Sequence, residues 1–251
     1  MSSEPEISVV MPAYNLEHII VDSVLAVCKA LNGLVESYEI IVVDDGSEDN
    51  TYDAVLGINN KHVRVLKNGV NEGKGSAIKK GVFFASGRYT IILDADMEID
   101  PIQIRTYLRL LKKADVVIAS KKHRDSVYEA PFIRKFLSWG FNILVQMLTG
   151  LRIRDTQTGL KAFRTDALKS IMNDVLVKRY AFDVEVLVLA NLLGLKVIEA
   201  PVKVRVKCMF SFKDVIRMLL DLLGLIYRLK IIRWYQQALK EKKLSFTSKF
   251  D

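Results

Sequence analysis

The chain is poor in the residues that build stapled or zinc-clamped folds: two cysteines and three histidines in 251 residues. Cys28 and Cys208 stand far apart, with no CxxC pair and no histidine cluster near either. This excludes a disulfide framework and a Cys/His zinc site, and both thiols read as buried spectators. Long apolar runs are also missing. The longest uncharged stretch, Phe136–Leu151, has 16 residues and contains Ser, Asn, Gln and Gly. That is too short and too polar for a membrane span. The opening Met1-Ser-Ser-Glu-Pro-Glu lacks a basic segment followed by an apolar core, so no signal peptide is expected. No repeat or low-complexity linker is visible.

What is present is globular. Half of the residues are apolar and 26% are charged, and the length suffices for one large domain with a sizeable core. The net charge of +8 is uneven. Residues 203–251 carry 12 Lys/Arg against 4 Asp/Glu, whereas residues 1–202 carry 25 of each sign. The basic excess therefore belongs to the C-terminal end and points to an anionic partner there.

Short β-branched runs alternate with helical stretches. Strands are expected at Ile7–Met11, Glu39–Asp44, Val63–Leu66 and Thr90–Leu93, with helices at Leu16–Leu31, Asp49–Ile58 and Gly75–Ala85. This alternation implies a mostly parallel sheet covered by helices on both faces. Further on, helices are expected at Ile102–Lys113, Phe132–Thr149, Arg164–Asn173 and Phe182–Leu193, and strands at Asp115–Ser120 and Val197–Val206. From Phe212 to Lys243 the chain reads as helical, mixing Leu, Ile and Met with Lys and Arg.

In such sheets ligands bind beyond the carboxyl ends of the strands. Pro12, Tyr14, Asn15 and Glu17 follow the first strand, and Asp44-Asp45-Gly46-Ser47 follows the second. The paired Asp suits base and ribose edges and Gly46 permits close backbone approach; alternatively Ser47 or Asp49 caps the next helix. Asn71-Glu72-Gly73-Lys74-Gly75 places a lysine at a helix start, suited to an anion. Ile91-Ile92-Leu93-Asp94-Ala95-Asp96 ends an apolar strand in two carboxylates. In extended chain they project to one side and need a cation between them, unless both are simply solvated.

Together these segments resemble family 2 glycosyltransferases of the GT-A fold, whose pattern runs V-x-P-x-Y-N, V-D-D-G-S, N-x-G-K-G and D-A-D. The resemblance implies a nucleotide-sugar site at Pro12, Tyr14, Glu17, Asp44, Asp45, Lys74, Asp94, Ala95 and Asp96. Tyr14 and Asp45 would contact the nucleobase, and Lys74 the base or the phosphates. Asp94 and Asp96 would hold Mg2+ or Mn2+ against the diphosphate, with Glu98 where the family often has a further metal contact; a solvated Glu98 is the alternative.

Ile153–Arg164, followed by Arg179-Tyr180-Ala181-Phe182-Asp183-Val184-Glu185, is similar to dolichyl-phosphate glucose synthases. Pro131-Phe132, Arg134-Lys135 and Ser138 are shared with the mannose synthases. Arg134 and Ser138 would meet a lipid phosphate. Ser120-Lys121 stands where a Ser-Arg pair is usual; Lys keeps the charge without the bidentate fork, and a solvated basic turn is the rival reading. The family's late G-x-S-K stretch is replaced by Arg205–Lys213, where Lys207 or Lys213 could serve instead. Asp183 and Glu185 read as acceptor-side structure.

The implied reaction is an inverting transfer of a hexose, glucose from UDP-glucose or mannose from GDP-mannose, to a polyprenyl phosphate. Metal and basic groups would stabilise the leaving diphosphate, with Asp96 and Arg134 at the reacting centre. An acceptor phosphate is already anionic, so no activating His dyad is required; if a base acts, it is Asp155, with a structural cap as the alternative. The expected organisation is a GT-A domain over residues 1–210, with a nucleotide half to 98 and an acceptor half beyond. A basic amphipathic tail, 211–251, would lie on the cytoplasmic face of a membrane as a peripheral anchor. A soluble family 2 enzyme acting on a glycan is the competing activity. A nucleic-acid binder is disfavoured by the charge-neutral core.

Overall fold

The computed structural model describes residues 5–206 and 212–247. Lys207 and Cys208 lie outside the described residues, as does the junction between the expected domain and tail.

Four parallel strands form one half of the central sheet: β1 (Ile7–Ala13), β2 (Tyr38–Asp44), β3 (Val63–Lys67) and β4 (Tyr89–Leu93). Three helices connect them, α1 (Ile20–Leu31), α2 (Thr51–Leu56) and α3 (Lys74–Phe84). Strand alternation separates two cores. Val10 and Ile92 face α3, whereas Val9, Met11, Ile91 and Leu93 face the side covered by α1. β1 and β2 are buried along their whole length, as expected for central strands of a parallel sheet.

The second half departs from simple alternation. After a short 3-10 turn come α4 (Ile104–Leu111), β5 (Val116–Ala119), β6 (Val127–Glu129) and α5 (Phe132–Thr149). Residues Leu160–Arg164 then form β7, which the apolar pattern around Lys161 did not announce. It runs antiparallel between β4 and β5, giving the order β3-β2-β1-β4-β7-β5-β8. Helices α6 (Thr165–Met172) and α7 (Phe182–Leu192) follow. The single strand expected over 197–206 is instead two, β8 (Val197–Ala200) and β9 (Lys203–Arg205). Pro201 separates them: lacking an N–H, it cannot continue the ladder, and β9 leaves the sheet to pair with β6.

The last segment comprises α8 (Phe212–Ile226), a π-helical turn at Tyr227–Ile231 and α9 (Trp234–Thr247). One face is core: Met218, Leu222, Leu225, Leu229 and Tyr235 are buried against α5 and α7 residues. The anchor is polar. The wholly buried Glu185 accepts hydrogen bonds from the Leu176 and Val177 amides at 3.0 and 2.7 Å and from the Tyr235 hydroxyl. Arg228 donates to the same hydroxyl oxygen at 2.9 Å and lies 3.7 Å from the carboxylate. Burial pushes the Glu185 carboxyl upward even against these donors. Tyr235→Phe deprives a buried acid of its hydroxyl partner and is expected to destabilise the fold by about 1–3 kcal/mol. Chemical denaturation would check this through a lower midpoint at unchanged slope.

Candidate functional site

The loops after β1 and β2 are tied to each other before they meet any ligand. The Asn15 amide donates to the Ser47 hydroxyl at 2.9 Å, and the Glu48 amide returns a bond to Asn15 Oδ1 at 2.9 Å. Glu17 accepts from the Asn50 amide at 2.9 Å while its own amide donates to Asp49 at 3.1 Å. Glu17, expected at the donor, therefore spends its carboxylate on loop tying and does not line the cavity. Asp44, also expected there, is wholly buried and binds the Ser47 hydroxyl within its own turn. Gly46 adopts φ +71°, and a Cβ there would stand 2.5 Å from the Val70 carbonyl carbon. The close approach it permits is to the Val70-Asn71 backbone.

Asp45 reaches across to that same segment. Its carboxylate accepts from Asn68 Nδ2 at 2.8 Å, the Glu72 amide at 3.1 Å and the Gly73 amide at 2.7 Å. It thus fixes the start of α3, from which Lys74 projects. The expectation of a free anion-binding helix start does not hold: the Gly75 and Ser76 amides donate to the Lys178 carbonyl at 2.8 and 3.2 Å. What remains for an anion is the Lys74 ammonium, 2.7 Å from both oxygens of Asp94. Burial works against its charge, but Asp94, Asp183 and Asp96 outweigh that and raise its pKa.

Asp94 and Asp96 do converge, though not by strand alternation. β4 stops at Leu93, and residues 94–98 turn, with Met97 at φ +59°. Ala95 is buried and its carbonyl accepts from Ser23, which fixes the turn at 2.7 Å. Burial first, then Asp94 and Glu98, push the Asp96 carboxyl up to about 6 from 3.8. Like-charge crowding of this kind calls for a cation. Asp94 Oδ1 is a buried oxygen whose one ion-pair partner among the described residues is the Lys74 ammonium at 2.7 Å. Mg2+ or Mn2+ is commonly held by one or two carboxylates together with substrate phosphates. The donor set fits such an ion, although no three His, Cys, Asp or Glu side chains form a closed cluster among the described residues. Glu98 is drawn toward Arg134, with 3.9 Å between Oε2 and Nη2.

The raised Asp96 pKa has a definite sign. A divalent ion binds the carboxylate and a proton competes for it, so apparent Mn2+ affinity should fall about tenfold per pH unit below about 6. The same shift makes the cation-free protein gain stability from Asp96 as pH falls from about 6 toward 3.8. Calorimetric titration of Mn2+ across pH 5–8 reads the first effect.

Every expected site residue except Glu17, Asp44 and Asp155 lines one cavity of about 920 Å3. Tyr14, 40% exposed, and Pro12 line it, as do Lys121, Arg134 and Ser138. Asp155, the candidate base, is absent from the lining and 1% exposed. Burial raises its pKa, but the Lys121 charge and hydrogen bonds from Thr158 and Lys121 more than reverse this, so the carboxyl is held below its usual range. A carboxylate that is walled off and acidified is a poor proton acceptor.

Two contributors were not singled out. Gly159 packs its backbone on Asp94: the Asp94 amide donates to the Gly159 carbonyl at 3.0 Å, and a Cβ at 159 would fall 2.4 Å from Asp94 Oδ2. Lys161, 2% exposed in mid-strand, pairs with Asp183 at 2.9 Å and places that carboxylate on the cavity wall beside Lys74. A lysine between apolar neighbours in a short strand was the available signal for it. Glu185, two residues on, faces away into the core.

Comparison with known proteins agrees with this geometry. The dolichyl-phosphate beta-glucosyltransferase of Dictyostelium discoideum is 37% identical over 214 residues, covering 78% of this chain and 65% of that protein. That of Drosophila melanogaster is 35% identical, covering 79% and 66%. The chain thus spans just under two thirds of the length of these relatives. Among solved structures, glucosyl-3-phosphoglycerate synthase from Mycobacterium tuberculosis, in complex with Mn2+, UDP and phosphoglyceric acid, superposes with a TM-score of 0.69 at 20% identity. It covers 88% of this chain and 78% of that one and carries the GT-A fold. A model of glycosyl transferase family 2 matches residues 8–172, from β1 through α6, and the chain belongs to that family.

Proposed function

We propose that this chain is an inverting hexosyltransferase that moves glucose from UDP-glucose to dolichyl or another polyprenyl phosphate. One observation carries the reading. The cavity that holds Lys74, Asp94 and Asp96 is also lined by Phe136, Phe141 and Leu144 of α5 and by Val215, Met218 and Leu219 of α8. A water-soluble glycan has no use for such a wall, whereas an isoprenoid chain does. The names of the curated relatives favour glucose over mannose.

In this reading Tyr14 offers its ring to the uracil, and Asp45 shapes the donor pocket through the loop it holds. Asp94 and Asp96 would hold Mg2+ or Mn2+, which would supply positive charge for a departing diphosphate. Lys74 adds a second positive charge there. Lys121, Arg134 and Ser138 align the acceptor phosphate, which is anionic near neutral pH and needs placement more than deprotonation.

Delivery of the acceptor calls for a membrane surface, on the cytoplasmic side. Among the described residues no helix is long and apolar enough to cross a membrane. The two helices that wall the cavity instead carry exposed apolar side chains, Phe132, Phe136 and Trp139 on α5 and Leu220 and Leu223 on α8. Burying each in the acyl boundary contributes about 1.5–3 kcal/mol, and each nearby Lys or Arg adds about 1 kcal/mol on anionic lipid.

The decisive assay incubates the protein with labelled UDP-glucose or GDP-mannose and dolichyl phosphate in anionic vesicles. Lipid-linked glucose is the expected product. Lipid-linked mannose instead would shift the donor assignment, and no lipid-linked product with either donor overturns the reading.

A further inference from the structure

We propose that Asp155 is a positioning residue of the acceptor site, acting through Lys121, whose ammonium it holds in place to receive the acceptor phosphate. This rests on the acceptor reading given above and assigns a role to a carboxylate that the transfer scheme leaves unused.

The geometry is a closed ring. Asp155 Oδ2 accepts from the backbone amide of Lys121 at 2.8 Å and from the Thr158 hydroxyl at 2.7 Å. Oδ1 lies 3.2 Å from the Lys121 ammonium, which also donates to Thr158 Oγ1 at 3.2 Å. The carboxylate therefore grips one lysine at both ends, backbone and side chain. On its other flank the ammonium lies 5.6 Å from the centre of the Tyr128 ring.

A free lysine side chain carries about 2 kcal/mol of rotamer entropy, which a phosphate would have to suppress on binding. Here that ordering is already done in the folded protein. The Asp155 side chain is fully buried, while Lys121 is on the cavity wall and 12% exposed. Lys121 lines the cavity and the carboxylate behind it does not, so Asp155 has no surface to offer as a base. Arg134 also has a carboxylate nearby, Glu98 Oε2 at 3.9 Å, so each cation proposed for the acceptor stands beside an acid.

The Asp155–Lys121 link is also well placed in the chain. Lys121 follows β5 and Asp155 precedes β7, two strands that pair antiparallel between β4 and the edge strand β8. The carboxylate joins the loops at their ends, so its effect on Lys121 comes through a rigid frame.

Steady-state kinetics of the full chain in dolichyl-phosphate vesicles test this with Asp155→Asn, Lys121→Met and the double variant. Asp155→Asn is expected to raise KM for dolichyl phosphate about tenfold, with kcat within about threefold and UDP-glucose affinity by calorimetry within about twofold. In the Lys121→Met background it should add nothing to KM, since the residue it acts through is gone. A kcat loss of a hundredfold at unchanged KM would mark Asp155 as a base and overturn the proposal. Additive losses in the double variant, with a lowered melting temperature and unchanged KM, would mark a purely structural role and overturn it equally. Should Asp155→Asn fail to fold, Thr158→Val loosens the same ring, and an unchanged KM for the lipid is then the refuting result. Failure of the wild-type chain to make any lipid-linked product refutes the acceptor reading itself, and is seen before any variant is compared.

Discussion

Asp96→Asn is expected to reduce sugar transfer by about a thousandfold while leaving membrane attachment and folding near wild type. The carboxylate is crowded by Asp94 and Glu98 and is costly to keep ionised, which is tolerable only if its charge is used. Replacement by the near-isosteric amide removes one anionic oxygen from the cation's donor set, and loss of diphosphate neutralisation is worth several kcal/mol of barrier. The folded protein should not suffer, because the substitution relieves like-charge repulsion. Asp96 is preferable to Asp94 as the test, since Asp94→Asn also removes the partner of Lys74. Rates with saturating UDP-glucose, paired with Mn2+ titration and vesicle sedimentation, separate the effects. Retained transfer would falsify the assignment of Asp96.

Gly159→Ala is the second large effect, and it acts without replacing any charged group. A methyl at 159 falls 2.4 Å from Asp94 Oδ2 and 2.8 Å from its Cγ, so the carboxylate must move. Asp94 has little room, with Lys74 bound to it on one side and its amide fixed to the Gly159 carbonyl. A displacement on the order of 1 Å in a catalytic constellation costs about a hundredfold in rate. The expected outcome is that loss, together with weakened Mn2+ binding and a modest fall in melting temperature. Unchanged metal affinity in a folded Gly159→Ala protein would show that the β7 backbone does not set Asp94.

The two predictions differ in how visible their residues were beforehand. The donor half was legible because its chemistry is local: buried strands end in short loops, and Tyr14, Asp45, Lys74 and Asp94 stand at those ends. Even there, which acids serve the ligand and which serve the loops was not legible. Glu17 and Asp44 look the same as Asp45 in one dimension, and only partners 23 or more residues away separate the first from the last.

In the acceptor half, α5 was found at its observed bounds because its apolar periodicity is long. β7 was not found, since a five-residue strand with a lysine at its second position has no alternation to read. The break at Pro201 followed from a local rule, yet the partner that makes β9 a strand is 76 residues earlier. Helix α8 was read as a surface element on the strength of one broad apolar face. Its leucines in fact divide between core and exterior, a division that amphipathic spacing alone does not reveal.

The insertion of β7 between β4 and β5 has a consequence for how the chain assembles. β1 through β4 lie within the first 93 residues and can pair as soon as they are made, but β4 then presents an open edge. Only when residues 160–164 arrive is that edge closed, and only then can β5 and β8 join the sheet. Long-range pairing of this kind is slow, and an uncovered apolar strand is a site for association with other chains. The strand that leads into Asp94 and Asp96 is therefore the aggregation-sensitive edge of the nascent protein. Its protection depends on the same segment, Gly159-Leu160, that holds Asp94 in place.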